Sequence, residues 1–275
     1  MSATKQSKGL TRDTLDKYYT SLVVVQKCMK EVMDLLDINT SDDLCIEPSA
    51  GNGAFISSLK KVFKNSHFYD IEPEHPEVTQ QDYLSLIYDF KAFRKVHVIG
   101  NPPFGRQSSI AIKFIKKSCE FADSVSFILP RSFKKESMKK HFPCNFHLIY
   151  EWDIPDDSFL VDGKTHNVPC VFQIWEYREE MRIIAEKLTP NGYAFVKQNE
   201  DPDISFRRVG GKAGEVSYDT QSKSHQSHYF IKFENGISEK ILKKIEAIDY
   251  PCKNNTVGAR SISKQELIKE FNVVL

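Results

Sequence analysis

Two short apolar runs, each followed by a loop rich in glycine or proline, constrain the fold of this chain more than any other feature. The run at residues 44–46 leads into the sequence EPSAGNG at residues 47–53, and the run at residues 96–100 leads into NPPF at residues 101–104. Apolar runs that stop at such residues are typical of buried strands that end in a turn. The chain therefore predicts a sheet whose strands end in loops of specialised conformation.

Strand-like runs alternate with helical stripes as far as residue 175. The predicted strands cover residues 44–46, 67–71, 96–100, 125–129, 146–152 and 168–175. The predicted helices cover residues 21–36, 53–63, 83–93, 109–121 and 132–141. This alternation predicts an α/β fold, a Rossmann-like, doubly wound and mostly parallel sheet with helices on both faces. Ligands of such sheets bind at the carboxyl ends of the strands, where both loops lie.

The pattern changes near residue 176. A charged helix is predicted over residues 176–188, and strand-like pieces follow at residues 193–196, 204–209 and 228–233. A helix over 237–248 and a last helix after Ser263, which begins a capping box, complete a small α+β appendage. We expect a flexible arm at residues 1–14, a main domain at residues 15–178 and a C-terminal substrate-recognition region at residues 179–275.

The composition is that of an ordinary globular protein. Of the 275 residues 40% are hydrophobic and 27% are charged, and no apolar stretch approaches the roughly 20 residues that cross a bilayer. The six cysteines are scattered without CxxC spacing, so neither a zinc site nor a disulfide framework is predicted. Free cysteines in apolar runs, and a polar segment 1–8 without a signal-peptide core, predict an intracellular protein that is not secreted.

Positive charge is concentrated after the NPPF loop. The net charge of the chain is only +1, yet residues 106–140 contain nine Lys and Arg residues and three acidic ones. Such a patch attracts phosphate groups, although solvated helix faces would carry the same residues. Its position beside the loop favours contact with nucleic acid.

The loop at residues 47–53 has the features of a site for a nucleoside-containing cofactor. Gly51 and Gly53 permit positive φ angles and let the backbone approach a ligand closely. Asp70 ends the next predicted strand, where a carboxylate accepts hydrogen bonds from ribose hydroxyls, and Glu72 follows it closely. Asp82 ends the next turn, in a position to accept from an adenine amino group. The loop and the acids together favour this interpretation over exposed carboxylates.

The order of these sites resembles that of S-adenosylmethionine-dependent adenine-N6 amino-methyltransferases of the gamma class. The resemblance covers about residues 15–176 and rests on EPSAGNG, Asp70, Asp82 and NPPF followed by Gly105. Residues 18–20, which include Tyr18, resemble the motif that touches the methionine part of the cofactor. The cofactor site implied by the resemblance is Tyr19, Thr20, Glu47, Pro48, Ser49, Gly51, Gly53, Asp70, Ile71, Asp82, Tyr83 and Asn101.

Methyl transfer to an adenine amino group would account for the composition of the NPPF loop. The lone pair of N6 is delocalised into the ring, so acceptors that hold its hydrogens favour the tetrahedral nitrogen that can react. Asn101 offers a side-chain carbonyl and Pro102 a backbone carbonyl, and the prolines restrict the loop. Phe104 would stack on the base. The predicted catalytic residues are Asn101, Pro102, Pro103 and Phe104.

Further residues are predicted to contact the substrate. Phe159 lies where the family places an aromatic residue against a flipped base. Arg207 and Arg208 stand beside a diglycine turn, and an exposed polar turn would contain the same residues. The predicted substrate-binding residues are Phe104, Phe159, Arg131, Lys134, Arg207 and Arg208, and no metal ligand is predicted.

Several functions remain open from the sequence. DNA is the favoured substrate and RNA the second, because RNA adenine methyltransferases share NPPF followed by glycine. Protein-glutamine methyltransferases use NPPY, so Phe104 fits them less well. A non-catalytic nucleic-acid-binding partner subunit is the remaining alternative, which the intact Asn101, Asp70 and glycine loop oppose. The sequence does not determine whether the chain acts with a protein partner or as a homodimer.

Overall fold

The computed structural model describes residues 19–161 and 164–275. The arm predicted at residues 1–14, and Tyr18, lie outside this range. The chain divides into two compact units, one that ends at Arg182 and one from Ile183 to Leu275, next to the boundary of 178 taken from the sequence. No helix in the described part of the chain has the length and apolar character needed to cross a membrane.

The first unit is built from ten strands and four helices in its described residues. The strands are β1 (Tyr19–Thr20), β2 (Leu44–Glu47), β3 (Asn65–Asp70), β4 (Thr79–Gln80), β5 (Val96–Gly100), β6 (Ser124–Pro130), β7 (Phe146–Asp153), β8 (Phe159–Val161), β9 (Lys164–His166) and β10 (Cys170–Tyr177). The helices are α1 (Leu22–Leu35), α2 (Ile56–Val62), α3 (Ser109–Ser118) and α4 (Glu136–Lys139). Short 3₁₀ turns cover Tyr83–Ser85, Arg106–Ser108 and Arg131–Lys134.

A seven-stranded sheet forms the centre of this unit, in the order β4-β3-β2-β5-β6-β10-β7. Strands β2 to β6 pair in parallel, and β10 runs antiparallel to both β6 and β7. The unit therefore has the Rossmann-like α/β fold that the sequence predicts. A second sheet of three antiparallel strands, in the order β1-β8-β9, accompanies it.

Alternating side chains along the strands bury both faces of the central sheet. Cys45 belongs to the cluster that contains the apolar side of α1 and α2, whereas its neighbours Leu44 and Ile46 belong to the cluster that contains α3. Successive residues of a strand point to opposite faces, so a short apolar run without polar interruption supplies both layers. Cys170 is buried in the core, as the sequence predicts.

The helix predicted over residues 83–93 is wrong. The segment forms only the 3₁₀ turn Tyr83–Ser85, in which the Asp82 carboxylate accepts from the N–H of Leu84 at 2.9 Å. The rings of Tyr88 and Phe90 then stack at 5.6 Å between centroids. Aromatic and short polar residues have low helix propensity, and aromatic packing with a local cap overrides the apolar spacing.

Two further helix predictions differ from the structure: one segment is not helical, and the other is shorter than predicted. Residues 178–192 form no helix, because the N–H groups of Arg178 and Arg182 donate to the backbone carbonyls of Asn145 and Cys144. The guanidinium of Arg182 lies 5.0 Å from the ring centroid of Trp175. The basic helix predicted over residues 132–141 is reduced to a 3₁₀ turn and the single turn of α4.

A buried charge network lies at the amino ends of the central strands, the edge opposite the two motif loops. Asp43 is fully buried and accepts two hydrogen bonds from the Arg94 guanidinium, both at 2.8 Å. Its Oδ2 also lies 3.2 Å from Nε2 of His97, whose Nδ1 is 2.8 Å from the Ser124 hydroxyl. The network joins the segment before β2 to the starts of β5 and β6.

Replacing Asp43 with alanine should lower the free energy of unfolding by about 3 kcal/mol, because it leaves Arg94 and His97 without their shared carboxylate. Asp37 is the matched control: it pairs with Arg94 and Lys95, but its side chain is 71% exposed. Asp37→Ala should cost far less, because exposed ion pairs are screened by water. Urea unfolding of the full chain measures both values, and equal losses would contradict the assigned role of Asp43.

The second unit is a four-stranded antiparallel sheet with two helices. Its strands are β11 (Tyr193–Val196), β12 (Ile204–Arg207), β13 (Val216–Ser217) and β14 (His228–Phe233), in the order β11-β14-β12-β13. Its helices are α5 (Glu239–Glu246) and α6 (Lys264–Val274), with a 3₁₀ turn at Pro251–Asn254. The capping box predicted at Ser263 is present, with Glu266 as its partner.

Candidate functional site

Three neighbouring strands of the first unit end at one cavity. Glu47 is the last residue of β2 and Asp70 the last of β3, and Asn101 follows the last residue of β5. The cavity measures about 270 Å³. Its walls are Tyr19, Thr20, Glu47, Pro48, Ser49, Ala50, Gly51, Asn52, Ala54, Phe55, Asp70, Ile71, Glu72, Glu74, Gln81, Asp82, Tyr83, Leu84, Asn101, Pro102, Pro103, Phe104, Ile110 and Phe114. All predicted catalytic residues, and all predicted cofactor residues except Gly53, lie in this wall.

The glycine loop holds Asp70 against the cavity. Gly51 has φ +49°, and its N–H donates to Oδ2 of Asp70 at 2.8 Å. The N–H of Glu72 donates to Oδ1 at 2.9 Å. Two backbone donors thus fix the carboxylate, and each oxygen keeps a second lone pair for a further donor. This geometry suits a carboxylate that receives the hydroxyls of a ribose.

Glu47 is a buried acid of the cavity. Its side chain is 2% exposed, and within the described chain its Oε2 has no hydrogen-bond partner. Burial raises the pKa of Glu47 to about 8, and the charge of Asp70 adds to the increase. The backbone of Gly100 lies so close that an added Cβ would stand 3.3 Å from the Glu47 side chain. A buried acid of this kind favours a ligand that brings a positive charge or a donor.

Asn101 is held from two sides. The Ser49 hydroxyl donates to its backbone carbonyl at 3.1 Å, which joins the NPPF loop to the glycine loop. Its side-chain Nδ2 donates to the Thr20 hydroxyl at 3.2 Å. Because this bond fixes the amide nitrogen on the side of Thr20, the carbonyl oxygen Oδ1 is the atom that would accept from a substrate amine.

Phe159 lies in the apolar core, where its side chain is 1% exposed, and it is not among the residues of the cavity wall. Its contact with a base stays a prediction. Phe159 pairs with Thr20 across the β1–β8 ladder. Because successive side chains of a strand point to opposite faces, the next residue, Leu160, is 36% exposed. Phe159 thereby positions Thr20, which accepts from Asn101.

Asp82 and Tyr83 form another part of the cavity wall. Asp82 caps its own 3₁₀ turn, so its Oδ1 already accepts one backbone N–H. The ring of Tyr83 stacks on Phe114 at 5.4 Å between centroids, and its hydroxyl is 2.9 Å from that of Ser118. The buried Tyr83 ring thus fixes this part of the wall against helix α3.

Gly53 closes the turn that precedes helix α2, and its assignment to the cofactor stays a prediction. Its φ is +84°, and an added Cβ would stand 2.9 Å from the His75 ring, on the side away from the cavity. Its N–H donates to the carbonyl of Ala50 at 2.7 Å and closes the turn. The second glycine of the motif therefore allows helix α2 to begin next to His75.

The predicted cationic contacts lie outside the cavity wall. Arg131 and Lys134 both pair with Asp153, at 3.5 Å and 2.7 Å, so the basic segment is partly neutralised. Arg207 and Arg208 belong to the second unit, where Arg208 lies over the ring of Tyr229. Their contact with substrate stays a prediction.

Several wall residues were not predicted individually: Ala50 and Asn52 lie in the predicted loop, and the fold brings the others to the cavity. They are Ala50, Asn52, Ala54, Phe55, Glu74, Gln81, Leu84, Ile110 and Phe114. Ile110 and Phe114 lie on helix α3, whose start is capped by the Phe104 carbonyl: it accepts from Ile110 N at 3.1 Å and Ala111 N at 3.3 Å. The glycine after NPPF was the available signal, since it marks a sharp turn into a helix.

Gly105→Ala should lower the free energy of unfolding by about 3 kcal/mol, because φ is +68° at this glycine and its new Cβ would stand 2.5 Å from Ile110. Gly51→Ala is the matched control, since φ is also positive there but an added Cβ meets only ordinary contacts. We expect Gly51→Ala to cost about 1 kcal/mol. Urea unfolding of the two full-length variants separates the clash from the backbone strain, and equal costs would argue against the clash.

Comparison with known proteins yields structural similarity alone. No protein-family model and no curated protein matches the sequence. A structure described as that of a proposed RNA methyltransferase from Pyrococcus horikoshii has a TM-score of 0.47 at 18% identity, over 62% of this chain and 92% of that one. A type I restriction-modification methyltransferase subunit from Streptococcus thermophilus has a TM-score of 0.45 at 13% identity, over 61% and 46%. N-methyltransferase NodS from Bradyrhizobium japonicum, in complex with S-adenosyl-L-homocysteine, has a TM-score of 0.39 at 10% identity, over 57% and 86%.

Proposed function

We propose that this chain is an S-adenosylmethionine-dependent methyltransferase that modifies the N6 amino group of adenine in DNA. The observation that carries the proposal is the position of the Asn101 carboxamide in the wall of a cavity that also contains the glycine loop, Asp70 and Asp82. An amide acceptor beside a nucleoside site is what transfer to an exocyclic amine requires. The first unit also has a fold that hosts such chemistry, although fold alone does not decide function.

The residues of the cavity fit S-adenosylmethionine. Asp70 is oriented for the ribose hydroxyls, and Asp82 and the Tyr83 wall suit the adenine ring. The unpartnered Oε2 of Glu47 suits a cofactor with two positively charged groups, an ammonium and a sulfonium. The positive φ of Gly51 lets the backbone approach the ligand without a Cβ. When bound, the cofactor would supply a methyl group attached to a positively charged sulfur.

The NPPF loop would prepare the amine. Oδ1 of Asn101 and the carbonyl of Pro102 would each accept one N6 hydrogen, which draws the lone pair out of conjugation with the ring. As nitrogen forms its bond to the methyl carbon, the carbon–sulfur bond would break and leave a neutral thioether. The nitrogen would then lose one proton to water, and because that proton becomes acidic as the new bond forms, no strong base is needed. Positioning by these two acceptors accounts for most of the rate.

Phe104 would orient the base. It packs against both apolar clusters of the first unit and lies in the cavity wall, so its ring has little freedom to move. A base stacked on this ring would have its amino group beside Asn101. A base within a duplex would first have to leave the helical stack.

The substrate class is tested by incubating the pure chain with methyl-labelled S-adenosylmethionine and, separately, duplex DNA, single-stranded DNA, total RNA and a protein extract. We expect N6-methyladenine in DNA when nucleosides are analysed by mass spectrometry. N6-methyladenine in RNA alone would assign the RNA alternative. Label in protein alone would indicate glutamine methylation, and absence of label with retained cofactor binding would indicate a non-catalytic partner subunit.

A further inference from the structure

The second unit contains an open pocket of about 560 Å³ of its own. Its walls are Phe195, Val196, Lys197, Gln198, Asn199, His225, His228, Tyr229, Phe230 and Lys264. The geometry points to a binding site for an unpaired nucleotide of a nucleic-acid strand, with the base against the aromatic rings and the phosphate beside the lysines. This inference rests on the proposed function for its biological setting, but binding at the pocket is tested without the cofactor.

Two rings form the aromatic part of the pocket. Phe195 lies on β11 and Tyr229 on β14, which pair in antiparallel register, and the two ring centroids are 5.5 Å apart with planes at 77°. Tyr229 is held by a hydrogen bond from its hydroxyl to the carbonyl of Ile262 at 3.3 Å, and by Phe206 stacked at 6.5 Å behind it. Both rings are half-buried, so each keeps part of its surface accessible to a ligand.

Lysines Lys197 and Lys264 are part of the pocket wall, which contains no acidic residue. Nζ of Lys264 lies 4.5 Å from the Phe195 ring centroid and 5.8 Å from that of Tyr229. Arg208 lies 5.5 Å from the Tyr229 ring on the rim. No carboxylate is among the wall residues, and neither Lys197 nor Lys264 forms an ion pair with a described acid. A wall that contains two lysines and no carboxylate disfavours a cationic ligand and favours an anionic one.

The remaining wall is fixed by a single side chain. The amide nitrogen of Gln198 donates to the carbonyls of Thr220, Gln221 and Lys223, at 2.8, 2.9 and 3.0 Å. These bonds hold the polar loop around residues 220–225 against the end of β11. The pocket is therefore preformed, and a ligand would not have to order it on binding.

An aromatic anion meets both requirements of the pocket, and a nucleotide is such a ligand. Bases stack on accessible rings with little regard to sequence, while lysines neutralise the neighbouring phosphates. A duplex presents its bases stacked inside the helix, so only an unpaired nucleotide exposes the face that Phe195 or Tyr229 would contact. Arg208, predicted from the sequence as a substrate contact, would add a cation at the rim.

Lys264→Glu is the most direct test. Lys264 is the first residue of helix α6, where a negative charge interacts favourably with the helix dipole, so the change should not unfold the unit. Lys269→Glu is the matched control, since Lys269 is an exposed lysine of the same helix outside the pocket. Phe195→Leu tests stacking, because it removes the ring and keeps an apolar side chain.

Binding of fluorescein-labelled 12-nucleotide single strands of DNA and of RNA is measured by anisotropy at low salt without cofactor. We expect Lys264→Glu and Phe195→Leu each to weaken binding about tenfold, Lys269→Glu to change it less than about twofold, and the salt dependence to decrease only in Lys264→Glu. The strand that binds more tightly identifies DNA or RNA as the source of the nucleotide. Thermal unfolding of each variant verifies that the second unit is intact.

Two results would overturn the inference: a wild-type chain that binds neither strand, or pocket variants that bind like Lys269→Glu. Methyl transfer by the same wild-type preparation distinguishes this failure from failure of the proposed function. Transfer without pocket-dependent binding leaves the enzyme assignment standing and rejects the pocket. Pocket-dependent binding without transfer rejects the enzyme assignment and supports the pocket.

Discussion

Asn101→Ala is expected to lower kcat for methyl transfer by about a hundredfold to a thousandfold, with little change in cofactor affinity. The variant removes Oδ1, the side-chain acceptor that we assign to the substrate amine, and leaves only the carbonyl of Pro102. It also removes the donor to Thr20 of β1, which is a contact within the protein and not with the cofactor. Single-turnover transfer and calorimetric titration with S-adenosylmethionine measure the two quantities separately.

Two further variants test the roles assigned to Asn101 and Asp70. Thr20→Val keeps the shape of residue 20 but removes the acceptor that orients the Asn101 carboxamide, so kcat should fall about tenfold, less than in Asn101→Ala. Asp70→Asn should show the converse pattern, with weaker cofactor binding and a smaller effect on kcat at saturation. An active Asn101→Ala enzyme would contradict the catalytic assignment. Loss of cofactor binding in Asn101→Ala would contradict the separation of roles between Asn101 and Asp70.

The sequence was sufficient to place the strand ends of the cavity. Leu44 to Ile46 is an uninterrupted apolar run, and Val96 to Gly100 is apolar apart from His97, because both faces of the sheet are covered; this pattern is visible without a structure. The loops that follow are marked by residues with restricted or unusual backbone angles. Parallel pairing then brings the loops to one edge, so Glu47, Asp70 and Asn101 were predicted as neighbours although they are distant in the chain.

Side-chain orientation depends on tertiary contacts, which local sequence does not reveal. Pairing of β8 with β1 turns the Phe159 ring into the core, and its place in the order of motifs does not indicate this. Gly53 resembles Gly51 in sequence, yet only the fold shows that His75 packs beside it. The pocket around Lys264 combines β11, β14 and the start of α6, and no local pattern indicates that these segments meet.

Glu47 makes the free energy of unfolding depend on pH. The pKa of Glu47 is raised by burial, and then by Asp70, from 4.5 to about 8, so the folded chain retains a proton that the unfolded chain loses within this window. The free energy of unfolding should therefore decrease as pH rises from 4.5 to 8. Between pH 5 and 9 the contribution of this one group is about 4 kcal/mol.

Glu47→Gln keeps the size of the side chain and removes the titration. Without cofactor, we expect the unfolding free energy of the variant to lack this decrease, so that it exceeds that of the wild type by the largest margin above pH 8. Cofactor binding should show the opposite order, because the positive charge of the cofactor favours the ionised Glu47: wild-type affinity should rise relative to the variant as pH increases from 6 to 8. The amino group of the cofactor also titrates near this range, but it does so equally for both proteins. Parallel pH dependence of unfolding and of binding in the two proteins would contradict the raised pKa of Glu47. Equal cofactor affinities of the two proteins across this pH range would remove Glu47 from the set of residues that receive the cofactor's charge.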